Sequence, residues 1–237
     1  GEADFAVHSF KDLPTAERRG LTITAVFDRK FVEDCLVCPS PIESLEQLPR
    51  DAKIGTSSLR RAAQLRHLRP DLQPTPIRGN VQTRLRKLDT DDFDAILLAR
   101  AGLERLGLAD RISLIFDPTE FIPAPAQGAL AIQTRADDTE TNKLIAALDD
   151  NSARITTSAE RKILTTMQCG CHAPVGAYAQ LTEEEITIRA FICDLQGQNH
   201  IARQSTAPIS QAESLAEQLA QDLLTSGGKE ILVALER

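Results

Sequence analysis

The feature that most constrains the fold is a repeated alternation of short apolar strands and helices in the middle of the chain. The clearest strand pattern is the apolar run at residues 93–99, and a helical pattern follows it at 102–108. Upstream, a short strand at 53–55 leads into a helix at 59–68 that Ser58 can cap. This alternation predicts a parallel α/β sheet, in which ligands collect where strands end and helices begin.

The regions that flank this alternation predict a second α/β unit. Strand patterns occur at residues 3–7, 21–26 and 129–133. The chain is expected to leave this unit near Asp28 and to return to it near Pro123. Two connections of this kind predict a hinge-like double crossing between the two α/β units.

The last third of the chain has a different order of elements. A helix is predicted at residues 151–167, and strands are predicted near 175–180, 185–194 and 200–206. Another helix is predicted at 210–225. Antiparallel strands combined with helices in this order predict a small α+β domain.

The net charge of −7 conceals a basic middle region. Between Lys53 and Arg111, twelve Lys and Arg exceed the seven Asp and Glu by five. A basic region in an acidic chain predicts a local anion site, although any single arginine could equally belong to a solvated charged face. With no Trp and only 4% aromatic residues, the composition argues against a nucleic-acid surface.

Composition also indicates the class of protein and its compartment. Hydrophobic residues make up 42% of the chain, and no apolar run reaches the roughly 18 residues of a membrane span, so we expect a soluble globular protein. Five cysteines is an odd number, which argues against a disulfide scaffold and predicts a reducing compartment. The chain starts at Gly1, which leaves open a lost N-terminal targeting segment.

Arginines are placed where a polycarboxylate would bind. Arg60, Arg61, Arg78 and Arg84 lie at or just inside the predicted strand-to-helix junctions, and Arg105 lies a turn further on. Helix N-termini favour anions, and the planar guanidinium pairs with a carboxylate through two hydrogen bonds. The grouping therefore predicts a carboxylate site.

An aspartate and a cysteine offer further chemistry. Asp12 lies in the stretch VHSFKDLP at residues 7–14, and Cys171 lies in CGCHAPVG at residues 169–176. Taken alone, an aspartate before Leu-Pro is more often a turn former, and a cysteine is more often a small buried hydrophobe. Together with the arginines, they could tether a polyanion covalently and perform acid–base chemistry on it.

A four-thiolate zinc site is the sharpest competing interpretation, with ligands from Cys35, Cys38, Cys169 and Cys171. The stretch at residues 35–38 reads as a strand, however. Because residues three apart on a strand point to opposite faces, Cys35 and Cys38 could not hold one ion. We therefore predict no metal site.

Taken in order, the stretches VHSFKDLP, GTSSLRR at residues 55–61, RGN at 78–80 and CGCHAPVG resemble the porphobilinogen deaminase (hydroxymethylbilane synthase) family. The resemblance covers essentially the whole chain. Cys169 stands where glycine is common in the family, so the choice of anchor rests on Cys171 preceding His-Ala-Pro. The family's usual first portion, ahead of the aspartate motif, is absent, and we expect the chain as given to be inactive on its own.

The resemblance implies roles for individual residues. The cysteine that matches Cys171 holds a dipyrromethane cofactor through a thioether bond, and the aspartate that matches Asp12 is catalytic. The remaining matches bind acetate and propionate side chains of cofactor and substrate: Ser9, Lys11, Thr56, Ser57, Ser58, Arg60, Arg61, Arg78, Arg84 and Arg105.

The resemblance also implies two α/β domains like those of periplasmic binding proteins and a third domain that carries the cysteine. We assign residues 1–28 and 123–148 to a remnant of the first domain, 29–122 to the second and 149–237 to the third. The implied reaction joins four porphobilinogen molecules into hydroxymethylbilane. We expect a cytoplasmic monomer without nucleic-acid or membrane partners. The alternative is a non-enzymatic anion-binding or effector-binding module of the same α/β type.

Overall fold

The computed structural model describes residues 3–16, 18–90, 93–170 and 173–235. In chain order, the strands are β1 (Phe5–Ser9), β2 (Leu21–Phe27), β3 (Asp34–Val37), β4 (Lys53–Gly55), β5 (Gln73–Thr75), β6 (Ala95–Ala99), β7 (Leu114–Ile115), β8 (Leu130–Arg135), β9 (Val175–Leu181), β10 (Glu185–Cys193) and β11 (His200–Pro208). The helices are α1 (Leu59–Leu68), α2 (Val81–Thr90), α3 (Arg100–Arg105), α4 (Thr139–Ile145), α5 (Asn151–Thr166), α6 (Ala212–Leu223) and α7 (Lys229–Leu235).

One antiparallel sheet joins the beginning of the chain to a strand far downstream. Its order is β1–β8–β2, and β8 runs antiparallel to both neighbours. Val7 of β1 is paired with Ile132, and Thr22 of β2 is paired with Thr134. The chain therefore leaves this sheet after β2 and returns to its centre after a long excursion, as the sequence predicts.

The excursion forms a five-stranded sheet in the order β5–β4–β6–β3–β7. β4 pairs in parallel with β5 and β6, as the strand–helix alternation predicts. The prediction of a parallel sheet is wrong for β3, which runs antiparallel to both of its neighbours, β6 and β7. β3 follows directly from the crossing out of the first sheet, so no helix precedes it to set a parallel direction.

Both faces of the five-stranded sheet are buried. Leu36 and Leu97 belong to the apolar cluster on one face, whereas Cys35 and Ile96 belong to the cluster on the other. Alternation along each strand explains this division, and helices cover both sides. The arrangement confirms the predicted α/β class for this part of the chain.

A third sheet, in the order β11–β10–β9, lies against α5 and α6. It is antiparallel throughout. Its core contains Ile163 of α5, Ile188 of β10 and Leu219 of α6. This layer of helices on one antiparallel sheet confirms the predicted α+β character of the C-terminal part.

A buried carboxylate in α5 connects the C-terminal part to the rest of the molecule. Glu160 is fully buried, and its Oε1 lies 2.6 Å from Arg29 Nη2. The same carboxylate accepts hydrogen bonds of 2.7 Å from the backbone N–H groups of Ala126 and Ala179. Burial raises the pKa of Glu160, and the Arg29 charge opposes that rise. The Glu160 carboxylate and the Arg29 guanidinium therefore neutralise each other.

None of the helices in the part of the chain that the structure describes is long and apolar enough to span a bilayer.

Candidate active site

A cavity of about 590 Å³ lies where the turn after β1, helices α1 to α3 and the segment before β8 meet. It brings together many of the residues that the sequence predicts for the site. Those that line it are Ser9, Lys11, Asp12, Ser57, Ser58, Arg60, Arg61, Arg84 and Arg105.

The N-terminal end of α1 forms one wall of the cavity. Ser58 caps the helix, because its Oγ accepts a hydrogen bond of 3.4 Å from the Arg61 N–H. Ser57 Oγ lies 2.8 Å from the Ile77 carbonyl oxygen and 3.1 Å from the Ile77 nitrogen, which fixes the turn to the neighbouring segment. Thr56 is buried behind them and is not among the lining residues; its Oγ1 accepts from the Ser58 N–H at 3.2 Å.

Arg60 and Arg61 are buried and share one carboxylate. Arg60 Nη1 lies 2.8 Å from Asp34 Oδ2, and Arg61 Nη2 lies 2.6 Å from Asp34 Oδ1. Asp34 begins β3 and is completely buried. Burial alone would raise the pKa of Asp34, but the charges of Arg60 and Arg61 outweigh it and hold that pKa well below its ordinary value.

The shared carboxylate leaves this group with an excess of positive charge. Arg61 also donates to the Leu97 carbonyl oxygen at 3.0 Å, and Arg60 donates to the Ile122 carbonyl oxygen at 2.7 Å. These bonds fix both guanidinium groups in place. One negative charge cannot neutralise two guanidinium groups, so the pair still presents a net positive charge to the cavity.

Gln127 connects Asp34 to Lys11. Its Nε2 donates to Asp34 Oδ1 at 3.0 Å, and its Oε1 accepts from Lys11 Nζ at 3.1 Å. Gln127 is completely buried, so these partners fix its amide in one orientation. Burial and the charge of Arg61 lower the pKa of Lys11 to about 8, against the opposing charges of Asp34 and Asp12.

Asp12 is exposed at the cavity and ends a short 3₁₀ turn, Phe10–Asp12. Phe10 is buried beneath this turn, and its N–H donates to the Ala129 carbonyl oxygen at 3.0 Å. The turn therefore presents a solvent-accessible carboxylate beside the ammonium group of Lys11. A carboxylate in this position can hold an N–H group or accept a proton from a bound molecule.

Arg84 reaches the cavity from α2. Asn80 caps this helix by accepting a hydrogen bond of 2.9 Å from the Thr83 N–H, as predicted. Arg84 Nε donates to the Gly79 carbonyl oxygen at 2.8 Å, and Gly79 adopts a φ of 119° that favours glycine. The structure records no carboxylate within ion-pair distance of Arg84 among the described residues, and desolvation together with Arg61 lowers the Arg84 pKa.

Arg105 binds the two segments by which the chain leaves and re-enters the first sheet, near Asp28 and near Gly128. Its Nε lies 3.0 Å from Asp28 Oδ2, and its Nη2 lies 2.5 Å from the Gly128 carbonyl oxygen. A side chain at Gly128 would overlap the Phe31 carbonyl oxygen, which shows how closely the two crossings pass. Arg105 therefore joins α3 to both crossings at the margin of the cavity.

Arg78 does not line the cavity. The structure places it at an exposed position next to Gly79. It lies at the strand-to-helix junction that the sequence predicts, one residue before the glycine that turns the chain toward α2. Its predicted contact with carboxylates stays a prediction.

Cys171 and His172 lie outside the described residues. Gly170, which directly precedes Cys171 in the sequence, lines a small cavity of about 40 Å³ together with Lys11, Ser58 and Arg60. The segment that leads to Cys171 therefore reaches the positively charged group. Its neighbour Cys169 is half-buried, and burial raises the pKa of the Cys169 thiol to about 11.

The competing zinc interpretation fails on its first pair of ligands. Cys35 packs into the apolar cluster on one face of the five-stranded sheet, and Cys38 packs against the cluster on the other. Burial raises the pKa of both thiols, to about 12 for Cys35. Within the part of the chain that the structure describes, no group of three metal-ligating side chains is present.

Sequence reasoning missed two residues at the centre of the site, Asp34 and Gln127. Asp34 precedes an apolar strand, and Gln127 lies in a Pro-Ala-rich turn. The one available signal was an acidic residue at the start of a strand that is otherwise wholly apolar. A buried carboxylate in such a position needs a cationic partner, and the arginines are the available ones.

Comparison with known proteins assigns the chain to one family over most of its length. The family model described as "Porphobilinogen deaminase, dipyromethane cofactor binding domain" matches residues 1–143. The model described as "Porphobilinogen deaminase, C-terminal domain" matches residues 154–225.

Similar curated proteins carry the same name. The porphobilinogen deaminase of Chlorobium phaeobacteroides is 41% identical, with 100% of this chain covering 77% of that protein. That of Desulforudis audaxviator is 45% identical, with 98% of this chain covering 74% of that protein.

Among solved structures, a TRAP periplasmic solute-binding protein from Desulfovibrio salexigens matches 63% of this chain and 55% of its own, with 13% identity and a TM-score of 0.38. The methionine-binding protein MetQ matches 54% of this chain and 60% of its own, with 14% identity and a TM-score of 0.38.

Proposed function

Because the chain belongs to the porphobilinogen deaminase family, we propose that the cavity beside Asp12 is where it performs the family's reaction. Four porphobilinogen molecules are condensed head to tail into hydroxymethylbilane, with release of ammonia, on a covalently bound dipyrromethane primer. The reaction makes the chain a transferase of tetrapyrrole and haem biosynthesis. Binding of carboxylates, proton transfer and attachment of the primer fall to different residues around the cavity.

The observation that carries these roles is the charge imbalance around the cavity. Lys11, Arg60, Arg61 and Arg84 face it, whereas Asp34 is the one buried carboxylate paired with them among the described residues. Porphobilinogen and the primer both carry acetate and propionate groups. Partly desolvated cations that outnumber their carboxylate partners can bind such groups through strong, charge-assisted hydrogen bonds.

The residues present fit the dipyrromethane primer. Its carboxylates would be held by Lys11, Arg60 and Arg84, with the Ser58 hydroxyl and the N-terminal end of α1 beside them. When bound, the dipyrromethane supplies the pyrrole α-carbon from which the chain grows. We extend the carboxylate-binding role to Ser9, Thr56, Ser57, Arg61, Arg78 and Arg105, which match the family pattern.

Asp12 acts on the pyrrole N–H groups of the substrate. In each condensation the bond between the aminomethyl carbon and nitrogen of porphobilinogen breaks, and ammonia leaves. The free α-carbon of the growing chain then attacks that methylene to form a carbon–carbon bond, and the same α-carbon loses its proton. The Asp12 carboxylate stabilises the positive charge that develops on the pyrrole nitrogen and takes part in the proton transfers.

Cys171 provides the thioether. Attachment requires a thiolate, and burial raises the pKa of each of the four described cysteines: Cys35, Cys38, Cys169 and Cys193. These thiols are poor nucleophiles at neutral pH. The approach of Gly170 to Lys11 and Arg60 supports the residue directly after it as the anchor, in preference to Cys169.

We also propose the domain partition into residues 1–28 with 123–148, then 29–122, then 149–237. The three separate sheets support this partition, since β1, β2 and β8 come from the first of these parts, β3 to β7 from the second and β9 to β11 from the third. We further propose that the protein acts as a cytoplasmic monomer and binds no nucleic acid. Free thiols at the four described cysteines support a reducing compartment.

The test is peptide mapping of the purified full-length enzyme by mass spectrometry, together with a colour reaction for pyrroles. We expect a pyrrolic adduct on Cys171 alone. An adduct on another cysteine would refute the anchor, and the absence of both adduct and porphobilinogen consumption would favour a non-enzymatic binding module.

The role of Asp12 is tested by two variants of the same enzyme. Asp12→Ala should lose turnover by about two to four orders of magnitude, the usual contribution of a general acid–base group. Asp12→Glu should retain more activity, because it keeps a displaced carboxylate. Near-normal turnover of the alanine variant with its adduct in place would reduce Asp12 to a turn residue.

A further inference from the structure

Arg161 reaches from α5 to the turn that carries Asp12. Its Nη1 donates to the carbonyl oxygens of Phe10 at 3.2 Å and Leu13 at 2.9 Å, and its Nη2 donates to that of Pro14 at 2.6 Å. The guanidinium carbon also lies 4.4 Å from the centre of the Phe10 ring. One side chain thus contacts the turn on both sides of Asp12.

The turn has little internal support. Ser9 precedes it without making a side-chain cap, and the Leu13 N–H donates to the Phe10 carbonyl oxygen at 3.3 Å, a long hydrogen bond. The carbonyl oxygens of Leu13 and Pro14 also need donors. Arg161 donates to both of them and shares the Phe10 carbonyl oxygen with the Leu13 N–H, all from one rigid planar group.

The contacts of Arg161 differ from those of its neighbour on the same helix. Lys162 pairs with two carboxylates on α6, Glu213 at 3.2 Å and Glu217 at 3.5 Å. The recorded partners of Arg161 are backbone carbonyl oxygens and an aromatic ring. Desolvation lowers the Arg161 pKa because burial disfavours the charged guanidinium. The carbonyl oxygens of the turn compensate for part of that lost hydration.

We infer that Arg161 is a positioning residue that fixes the Asp12 carboxylate relative to the cavity. This inference rests on the proposed catalytic role of Asp12. Because α5 ends at Thr166, a few residues before Gly170 and Cys171, the same helix that holds the catalytic turn also leads into the anchoring segment. The fold thereby connects the position of the acid–base group to the segment that carries the primer.

The experiment compares Arg161→Gln and Arg161→Lys with Lys162→Gln in the full-length holoenzyme. Arg161→Gln should lower kcat by about tenfold or more, because small displacements of a reacting group cost that much, and should leave KM within about threefold. The kcat of Arg161→Lys should lie between those of Arg161→Gln and the wild type. Lysine keeps the positive charge, but it loses the planar guanidinium with its paired donors and its contact with the Phe10 ring. Lys162→Gln should match the wild type, and the adduct mass should be unchanged in every variant.

Amide hydrogen exchange of the peptide covering residues 10–16 provides a readout besides activity. Exchange there should accelerate in Arg161→Gln and stay unchanged in Lys162→Gln. Wild-type kcat or unchanged exchange in Arg161→Gln would overturn the inference. A residue that acts through Asp12 should have a different effect once Asp12 is itself changed. If Arg161→Gln lowered kcat by the same factor in the wild type and in Asp12→Glu, the inference would also be overturned. Failure of the proposed function is separate, since it would appear as normal turnover in Asp12→Ala.

Discussion

Two buried clusters of charge in this protein differ in their balance. In one, Glu160 and Arg29 form a pair of one negative and one positive group, and backbone N–H groups fill the remaining acceptor positions. In the other, Asp34 faces Arg60 and Arg61 directly and reaches Lys11 through Gln127. The first cluster is neutral overall, and the second is positive.

The difference separates a structural cluster from a binding cluster. A balanced pair holds α5 to the crossing segment and to β9, and it needs no further partner. An unbalanced cluster at the wall of a cavity keeps a standing attraction for anions. The excess positive charge of this cluster lies beside the exposed carboxylate of Asp12 and next to the segment that leads to Cys171.

Removing the carboxylate from each cluster should have the largest effect. Asp34→Asn and Glu160→Gln should each lower the free energy of unfolding by about 3–5 kcal/mol, because each leaves buried arginine unpaired. Urea unfolding measures the loss. Since the Asp34 pKa is depressed, its stabilisation should be complete above about pH 4 and be lost only as the pH falls through the folded-state pKa.

An added polycarboxylate then distinguishes the two variants. Citrate should restore part of the stability of Asp34→Asn, because it binds the enlarged positive excess at the cavity wall. The gain in stability on adding citrate should be no larger for Glu160→Gln than for the wild type. Equal rescue of both variants would contradict the distinction between the two clusters.

Removing an unpaired cation from the cavity should have an intermediate effect. Arg84→Leu should raise KM for porphobilinogen by about ten- to a hundredfold, the value of one or two lost hydrogen bonds to a charged group. Arg86→Leu is the matched control, because Arg86 lies on the same helix at an exposed position outside the cavity. Steady-state kinetics of the full-length enzyme would show the contrast, and equal effects of both changes would remove Arg84 from the site.

The smallest expected effect is a proton taken up on binding. Lys11 has a pKa near 8 without ligand, and carboxylates placed beside it should raise that value. Binding of an unreactive analogue that lacks the aminomethyl group should therefore take up about half a proton near pH 8, and affinity should fall as the pH rises above that. Calorimetry in two buffers of different ionisation enthalpy measures the uptake. Lys11→Arg should abolish it, and persistence in that variant would assign the proton elsewhere.

Local signals were sufficient to predict α1. The sequence pattern predicts a helix at residues 59–68, and the structure has Leu59–Leu68, because Ser58 caps its beginning and the chain meets Pro70 soon after its end. The strand at residues 35–38 and the cap at Asn80 were likewise predictable from a few neighbouring residues. These features depend on contacts within one turn of chain.

Long-range contacts were not predictable in the same way. The burial of Arg60 and Arg61 depends on Asp34, which lies on a strand more than twenty residues away. The antiparallel direction of β3 depends on how the chain crosses from the first sheet. The contact of Arg161 with the Asp12 turn joins residues about 150 positions apart. No local propensity contains information of this kind, so the arginines were identified without their counter-ion.

The most direct test of the central claim is a crystal structure of the full-length enzyme with its primer attached. The claim is that the unbalanced cluster around Asp34 is where carboxylates bind. We predict primer carboxylate oxygens about 3 Å from the side-chain nitrogens of Lys11, Arg60 and Arg84, the usual length of a charged hydrogen bond. Carboxylates held elsewhere, with these three side chains contacting only protein groups, would contradict the account.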